Sequence, residues 1–112
     1  MHPGQIKPNE FELTILESIA RKEPSMRRAF GKLRVISREF TGVACFTNFA
    51  FEETTNDLPE QQIGLDGMIT MPGVPGGMGA VLFCLGGSPR CLEVYSYGDD
   101  LWEGVYDGFT IG

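Results

Sequence analysis

The chain has 112 residues, 42% of them hydrophobic and 21% charged, with a formal net charge of −6. That length suits one domain, able to bury roughly two-thirds of its unfolded surface without metal or disulfide staples. The composition excludes a disordered chain and a fibrous repeat, and apolar runs of only a few residues exclude a helical membrane span.

The charge is unevenly spread. Seven of the nine bases lie between Arg21 and Arg38, whereas Arg90 is the one base after residue 40 and faces ten acids there. A basic cluster is one signature of nucleic-acid binding. The acidity of the rest opposes long-range attraction to phosphate, so that reading of Arg21–Arg38 ranks third. An acidic domain better suits a basic protein partner.

The three cysteines, Cys45, Cys84 and Cys91, contain no C-x-x-C pair, and the single histidine is His2. This excludes the common zinc patterns and leaves no histidine base for a Ser/His or Cys/His arrangement. The cysteines read as small, free, buried hydrophobes of a reducing cytoplasm, and no cofactor or metal is expected.

Residues 1–8 read as a loose lead-in to a single α+β domain spanning 1–112. With two prolines and no apolar core they do not form a signal peptide. Asn9 with Glu12 three positions later makes a capping box. Phe11, Ile15, Leu16, Ile19 and Ala20 follow as one apolar stripe, which predicts a helix over 10–22. Pro24 interrupts it, and Met26, Ala29, Phe30 and Leu33 predict a second helix of about two turns ending at Gly31 or Lys32.

The remainder reads as β-structure. Strands are expected over 33–40 and 43–51, joined by a tight Thr41–Gly42 turn. Residues 52–61 form an acidic loop carrying Glu52, Glu53, Asp57 and Glu60, without the pattern of a calcium loop. The alternation of Ile63, Leu65, Ile69 and Met71 predicts one half-buried strand over 62–71. The glycine-rich stretch 72–79 lacks phosphate-loop signatures and reads as a flexible connection. Residues 81–85 and 91–97 predict a hairpin pairing residues whose numbers sum to 175. That register puts Val81, Phe83, Leu85, Leu92 and Val94 toward the helices, and Leu82, Cys84, Cys91, Glu93, Tyr95 and Tyr97 on the opposite face. The tail adds an edge strand near 108–111. The expected fold is α+β: one or two N-terminal helices on one face of a four- or five-stranded, mainly antiparallel sheet.

The segment Gly79-Ala-Val-Leu-Phe-Cys-Leu and, after a glycine turn, Cys91-Leu-Glu-Val-Tyr-Ser-Tyr-Gly-Asp99 resembles a group of uncharacterised small bacterial proteins, through the pattern Leu-Glu-x-Tyr-x-Tyr-Gly-Asp. The resemblance covers about a fifth of the chain. It implies a cytoplasmic bacterial domain and no particular activity.

The candidate site is the acidic, aromatic strand face: Glu93, Tyr95 and Tyr97, with Asp99 beside them and Trp102 at the rim. Tyrosine and tryptophan bury large area and keep a polar tip, which suits a protein partner or a homodimer mate. The expectation is therefore a non-enzymatic binding domain, immunity-protein-like in its most concrete form. The alternative is a small-ligand binder or small enzyme using Glu93, Asp99 and the nearby tyrosines under the Gly73–Gly79 stretch, with Glu93 and Asp99 or Asp100 as a carboxylate pair.

Overall fold

The computed structural model describes residues 7–50, 60–85, 88–98, 100–102, 104 and 106–112. The capping box forms as the sequence predicts. The Asn9 side chain accepts from the Glu12 N–H and the Glu12 carboxylate accepts from the Asn9 N–H, both at 2.8 Å. It opens helix α1, Glu10–Ala20. The α1 stripe buries Phe11, Ile15, Leu16, Ile19 and Ala20, and Glu12 is buried with them. Pro8, in the expected lead-in, is already buried.

Seven strands follow among the described residues: β1 (Val35–Phe40), β2 (Ala44–Phe49), β3 (Glu60–Gly64), β4 (Ile69–Met71), β5 (Val74–Leu85), β6 (Ser88–Ser96) and β7 (Thr110–Ile111). They build one sheet in the order β1-β2-β6-β5-β4-β7, with antiparallel pairing throughout. Strand β3 pairs antiparallel with the Val81–Leu85 end of β5, while β4 pairs with its Val74–Met78 end.

Directly paired residues share a face of a sheet. The registers Cys45↔Val94, Val94↔Ala80, Thr47↔Leu92 and Leu92↔Leu82 therefore define one face. All six of these residues are buried, and they form the floor on which α1 packs. Ile15, Leu16, Ile19, Leu82 and Leu92 are 0% exposed. Each such burial contributes roughly 1.5–3 kcal/mol before entropic costs. The C-terminal segment closes this layer. Trp102 is 4% exposed, and Tyr106, Phe109 and Ile111 pack against the same core.

The expected four- or five-stranded sheet under one or two helices is corrected: among the described residues the sheet has seven strands, and α1 is the one helix longer than a single turn. The second apolar repeat yields only a 3₁₀ turn, Pro24–Met26, and a single turn α2, Arg27–Phe30. Proline at the start and Gly31 at the end leave too few residues to propagate a helix. The 62–71 strand is divided into β3 and β4, because the chain turns through Asp66 and Gly67, the latter at φ 85°. A left-handed backbone there admits glycine and interrupts the ladder. Glu60 and Gln61, expected in the acidic loop, start β3, and residues 52–59 of that loop lie outside the described residues. The tail strand forms as β7 on β4.

The largest correction concerns glycines. Residues 74–79, expected as part of a flexible connection, are the first half of the twelve-residue strand β5. Gly79 is buried beneath two tyrosines: a Cβ on it would lie 2.7 Å from Tyr97 Oη and 2.9 Å from Tyr95 Oη. Glycine serves there for close approach, not for flexibility.

The β5–β6 register also differs by one residue. Leu82 pairs with Leu92 and Val81 with Glu93, and a bulge between Phe83 and Cys84 carries the pairing on to Leu85↔Ser88. The β6 parity is as expected, with Leu92 and Val94 inward. The β5 parity is reversed, since a slip of one residue exchanges the faces of a strand. Leu82 and Cys84 enter the core, while Val81 and Phe83 are half-buried on the side away from α1.

Candidate binding face

The face opposite α1 has no covering layer among the described residues. Its rows follow from the pairings across β1, β2, β6 and β5. One row is Ser37–Asn48–Cys91–Phe83, the next Glu39–Phe46–Glu93–Val81, and the third Ala44–Tyr95–Gly79. Phe46, Val81, Phe83, Tyr95 and Glu93 are half-buried, and Glu39 is exposed. The Asn48 amide donates to the Ser37 hydroxyl at 3.0 Å. At the end of this face lies a groove of about 550 Å³, whose lining includes Ile36, Ser37, Phe83, Glu60, Arg90 and Cys91.

Three of the five predicted site residues come together here. Glu93 and Tyr95 project from β6 on the open side. Tyr97, just past the strand and 54% exposed, sets its ring edge-on to Tyr95 with centroids 5.7 Å apart. Burial, then the neighbouring Tyr97 and Glu93, push the Tyr95 phenol above its ordinary value. Both rings lie over Gly79, so the bare backbone of β5 becomes a seat for two aromatics.

Trp102 is elsewhere. Its ring packs against Phe11 at 5.8 Å, Tyr106 at 5.6 Å and Phe40 at 5.6 Å, in the layer on the α1 side. Asp99 lies outside the described residues. Asp100 accepts from the Gly76 N–H at 2.9 Å, which ties the chain after β6 to the start of β5. The carboxylates therefore serve different purposes: Glu93 sits on the sheet face and Asp100 fastens a turn. Among the described residues no group of three His, Cys, Asp or Glu is placed to hold a metal. The stretch expected to overhang a ligand, Gly73–Gly79, is mostly strand, its residues from Val74 onward belonging to β5.

Sequence reasoning missed Glu39, Phe46, Val81 and Phe83 on this face. The signal for Val81 and Phe83 was the β5 parity, inverted by the slipped register. Glu39 and Phe46 join the face only through the β1–β2 and β2–β6 pairings, which no local pattern announces.

The basic run does not form one surface. Arg38 donates through Nε and Nη2 to Glu12 at 2.8 and 2.7 Å beneath α1. Lys22 reaches Asp66 at 3.2 Å and the Gly64 carbonyl at 3.0 Å, Arg27 lies 4.0 Å from Glu17, and Arg34 donates to the Leu33 carbonyl.

The Glu12 carboxylate is the most heavily bonded acid described. Besides Arg38 and the Asn9 N–H it accepts from the Thr47 hydroxyl at 2.8 Å. Burial pushes its pKa up, but the bonds from Arg38, Asn9 and Thr47 and the Arg38 charge outweigh this and hold it below the ordinary value. This cluster joins the helix start to β1 and β2.

All three cysteines are free. Cys84 and Cys91 lie on opposite faces of the β5–β6 hairpin, because Cys91 pairs with Phe83 and Cys84 with Pro89. Burial, reinforced by nearby acids, pushes both thiols up to about 11. Neither is an activated nucleophile, since the thiolate is the reactive form. Among the described residues no helix is long and apolar enough to cross a membrane. Comparison with family models, curated proteins and solved structures gives no match to the chain.

Proposed function

We propose that the protein is a binding domain that recognises another protein through the open face of its sheet. The observation that carries this is asymmetry: α1 and the C-terminal aromatics cover one face, while the other presents Phe46, Val81, Phe83, Tyr95 and Tyr97 alongside Glu39 and Glu93. Surface tyrosine and phenylalanine have the composition of interface hot spots, and the two carboxylates beside them add charge selectivity. The free thiols and the Leu-Glu-x-Tyr-x-Tyr-Gly-Asp resemblance support a bacterial, cytoplasmic setting. Inhibition of a toxin by an immunity-type protein is one concrete form of this role.

The test is comparative capture. Wild-type protein, a control variant Leu13→Ala on the exposed side of α1, and the double variant Tyr95→Ala/Tyr97→Ala are used as bait. A partner held by the first two and bound at least about thirtyfold more weakly by the double variant, with circular dichroism unchanged, supports the reading. That ratio corresponds to a loss of ~2 kcal/mol. Equal retention by all three refutes it. An unfolded double variant would show the tyrosines to be structural and also refute it.

A further inference from the structure

Within the open face one row has a specific chemistry. Glu39, Phe46 and Glu93 are direct partners across β1, β2 and β6. Two carboxylates therefore flank one phenyl ring on the same side of the sheet, with Cα atoms about 10 Å apart at ordinary strand spacing. Neither acid belongs to an ion pair among the described residues, where the pairs are Lys22–Asp66, Arg27–Glu17 and Arg38–Glu12. Glu93 is half-buried with Phe46, Val81 and Tyr95 around it. A charge on such a floor is less well solvated than one on a polar surface, and its attraction to an incoming cation is stronger. Arg90 lines the groove at the far end of the face together with Glu60, off this row. Among the described residues the Glu39–Phe46–Glu93 row thus presents negative charge outside any ion pair, on an aromatic seat.

We infer that the occupant of this row is an arginine side chain of a basic partner segment. Its guanidinium would stack on the Phe46 ring and donate to the Glu39 and Glu93 carboxylates on either side. Arginine fits better than lysine for two reasons. Its planar cation stacks on an aromatic face, and its forked donors address two carboxylates at once. This inference rests on the open face being the recognition surface and names what that surface recognises.

The probe is a blocked peptide, acetyl-Gly-Arg-Gly-Arg-Gly-amide, titrated into the isotope-labelled full chain at low salt. The glutamate version of the peptide is the control. The expected result is a set of amide shifts centred on Glu39, Phe46 and Glu93 that salt suppresses. Glu39→Gln and Glu93→Gln each weaken binding about threefold to tenfold, and Glu60→Gln, which removes the same charge off the row, changes it less than twofold. Both Gln variants sit at exposed or half-exposed positions and keep the wild-type amide dispersion. Shifts centred elsewhere, an equal response to the glutamate peptide, or binding indifferent to both Gln variants would overturn the inference. So would a mass that doubles with concentration without peptide, through the exposed Arg27 or Arg28 of a second copy. If the arginine peptide ignores the row while Tyr95→Ala/Tyr97→Ala still releases a partner, the occupant is wrong and the recognition face stands. If that double variant also keeps its partner, both fall.

Discussion

Arg38→Ala is the most informative single perturbation of the fold. The Glu12 side chain is 2% exposed and that of Arg38 is 20% exposed. Truncating Arg38 removes two charge-assisted hydrogen bonds and leaves the carboxylate buried with only the Asn9 N–H and the Thr47 hydroxyl. Removing one partner of a buried ion pair costs ~3–5 kcal/mol. Because two donors remain and Arg38 is partly solvated, the lower end applies, about 3 kcal/mol. Against a total stability of ~5–15 kcal/mol for a domain, this is a large fraction. It lowers the urea midpoint by roughly 1–3 M.

The pH dependence has a definite sign. In the wild type the folded Glu12 pKa is depressed, so the cluster's contribution is fully present above the unfolded value of ~4.3 and is lost as pH falls through the folded value. In Arg38→Ala the Arg38 bonds and charge that outweighed burial are gone, so the folded pKa rises. Protonation then relieves the variant as pH falls. The gap between the two proteins should be widest near pH 7 and shrink below about pH 4. Paired urea denaturations at pH 7 and pH 3.5 measure it. A gap under 1 kcal/mol at pH 7, or one that does not change with pH, would refute the reasoning.

Three further expectations follow from burial and contact. Ile15→Ala, at a 0% exposed position, should cost ~2–4 kcal/mol in denaturant titrations, and an unchanged midpoint would remove the α1 stripe from the core. Gly79→Ala drives a methyl into the Tyr95 and Tyr97 hydroxyls, so ~1–3 kcal/mol of stability should be lost. Gly79→Ala in a Tyr95→Ala/Tyr97→Ala background should cost under half as much, and equal costs would show that the tyrosines do not occupy the seat. Thiol counting should find three free groups after denaturation. In the native state Cys91, the half-buried one, should react slowly at neutral pH and faster as pH climbs toward about 11. Rapid labelling at pH 7 would contradict the burial that raises its pKa.

Helix α1 was legible because a 3.6-residue stripe and a capping box are local, and both sit within residues 9–20. The burial of Glu12 was not legible: it needs Arg38 and Thr47, 26 and 35 residues away. The glycines of β5 read as breakers because glycine's usual meaning is freedom. At Gly79 its meaning is space, and only Tyr95 of β6 and Tyr97 just past it reveal that. Val81 and Phe83 read as core because they are apolar and alternate, but Leu82 and Cys84 alternate equally well. The bulge at Phe83/Cys84 decides between them, and a run of five apolar residues carries no sign of it. For Trp102 the sequence offered an aromatic among acids, which suits a rim and a core lid equally. The contact with Phe11 of the distant helix settles its place. On the face itself, β6 parity was enough to group Glu93, Tyr95 and Tyr97, while Glu39 and Phe46 depended on strand pairing.

The central claim is that one face of the sheet holds the fold and the other is free for recognition. Val81→Arg and Leu82→Arg test it at adjacent positions, one half-buried on the open side and one 0% exposed beneath α1. Amide spectra of the two variants make the measurement. The account predicts a dispersed, native-like spectrum for Val81→Arg and a collapsed one for Leu82→Arg, whose buried cation has no partner in the core. A folded Leu82→Arg beside an unfolded Val81→Arg would contradict it, reversing the two faces.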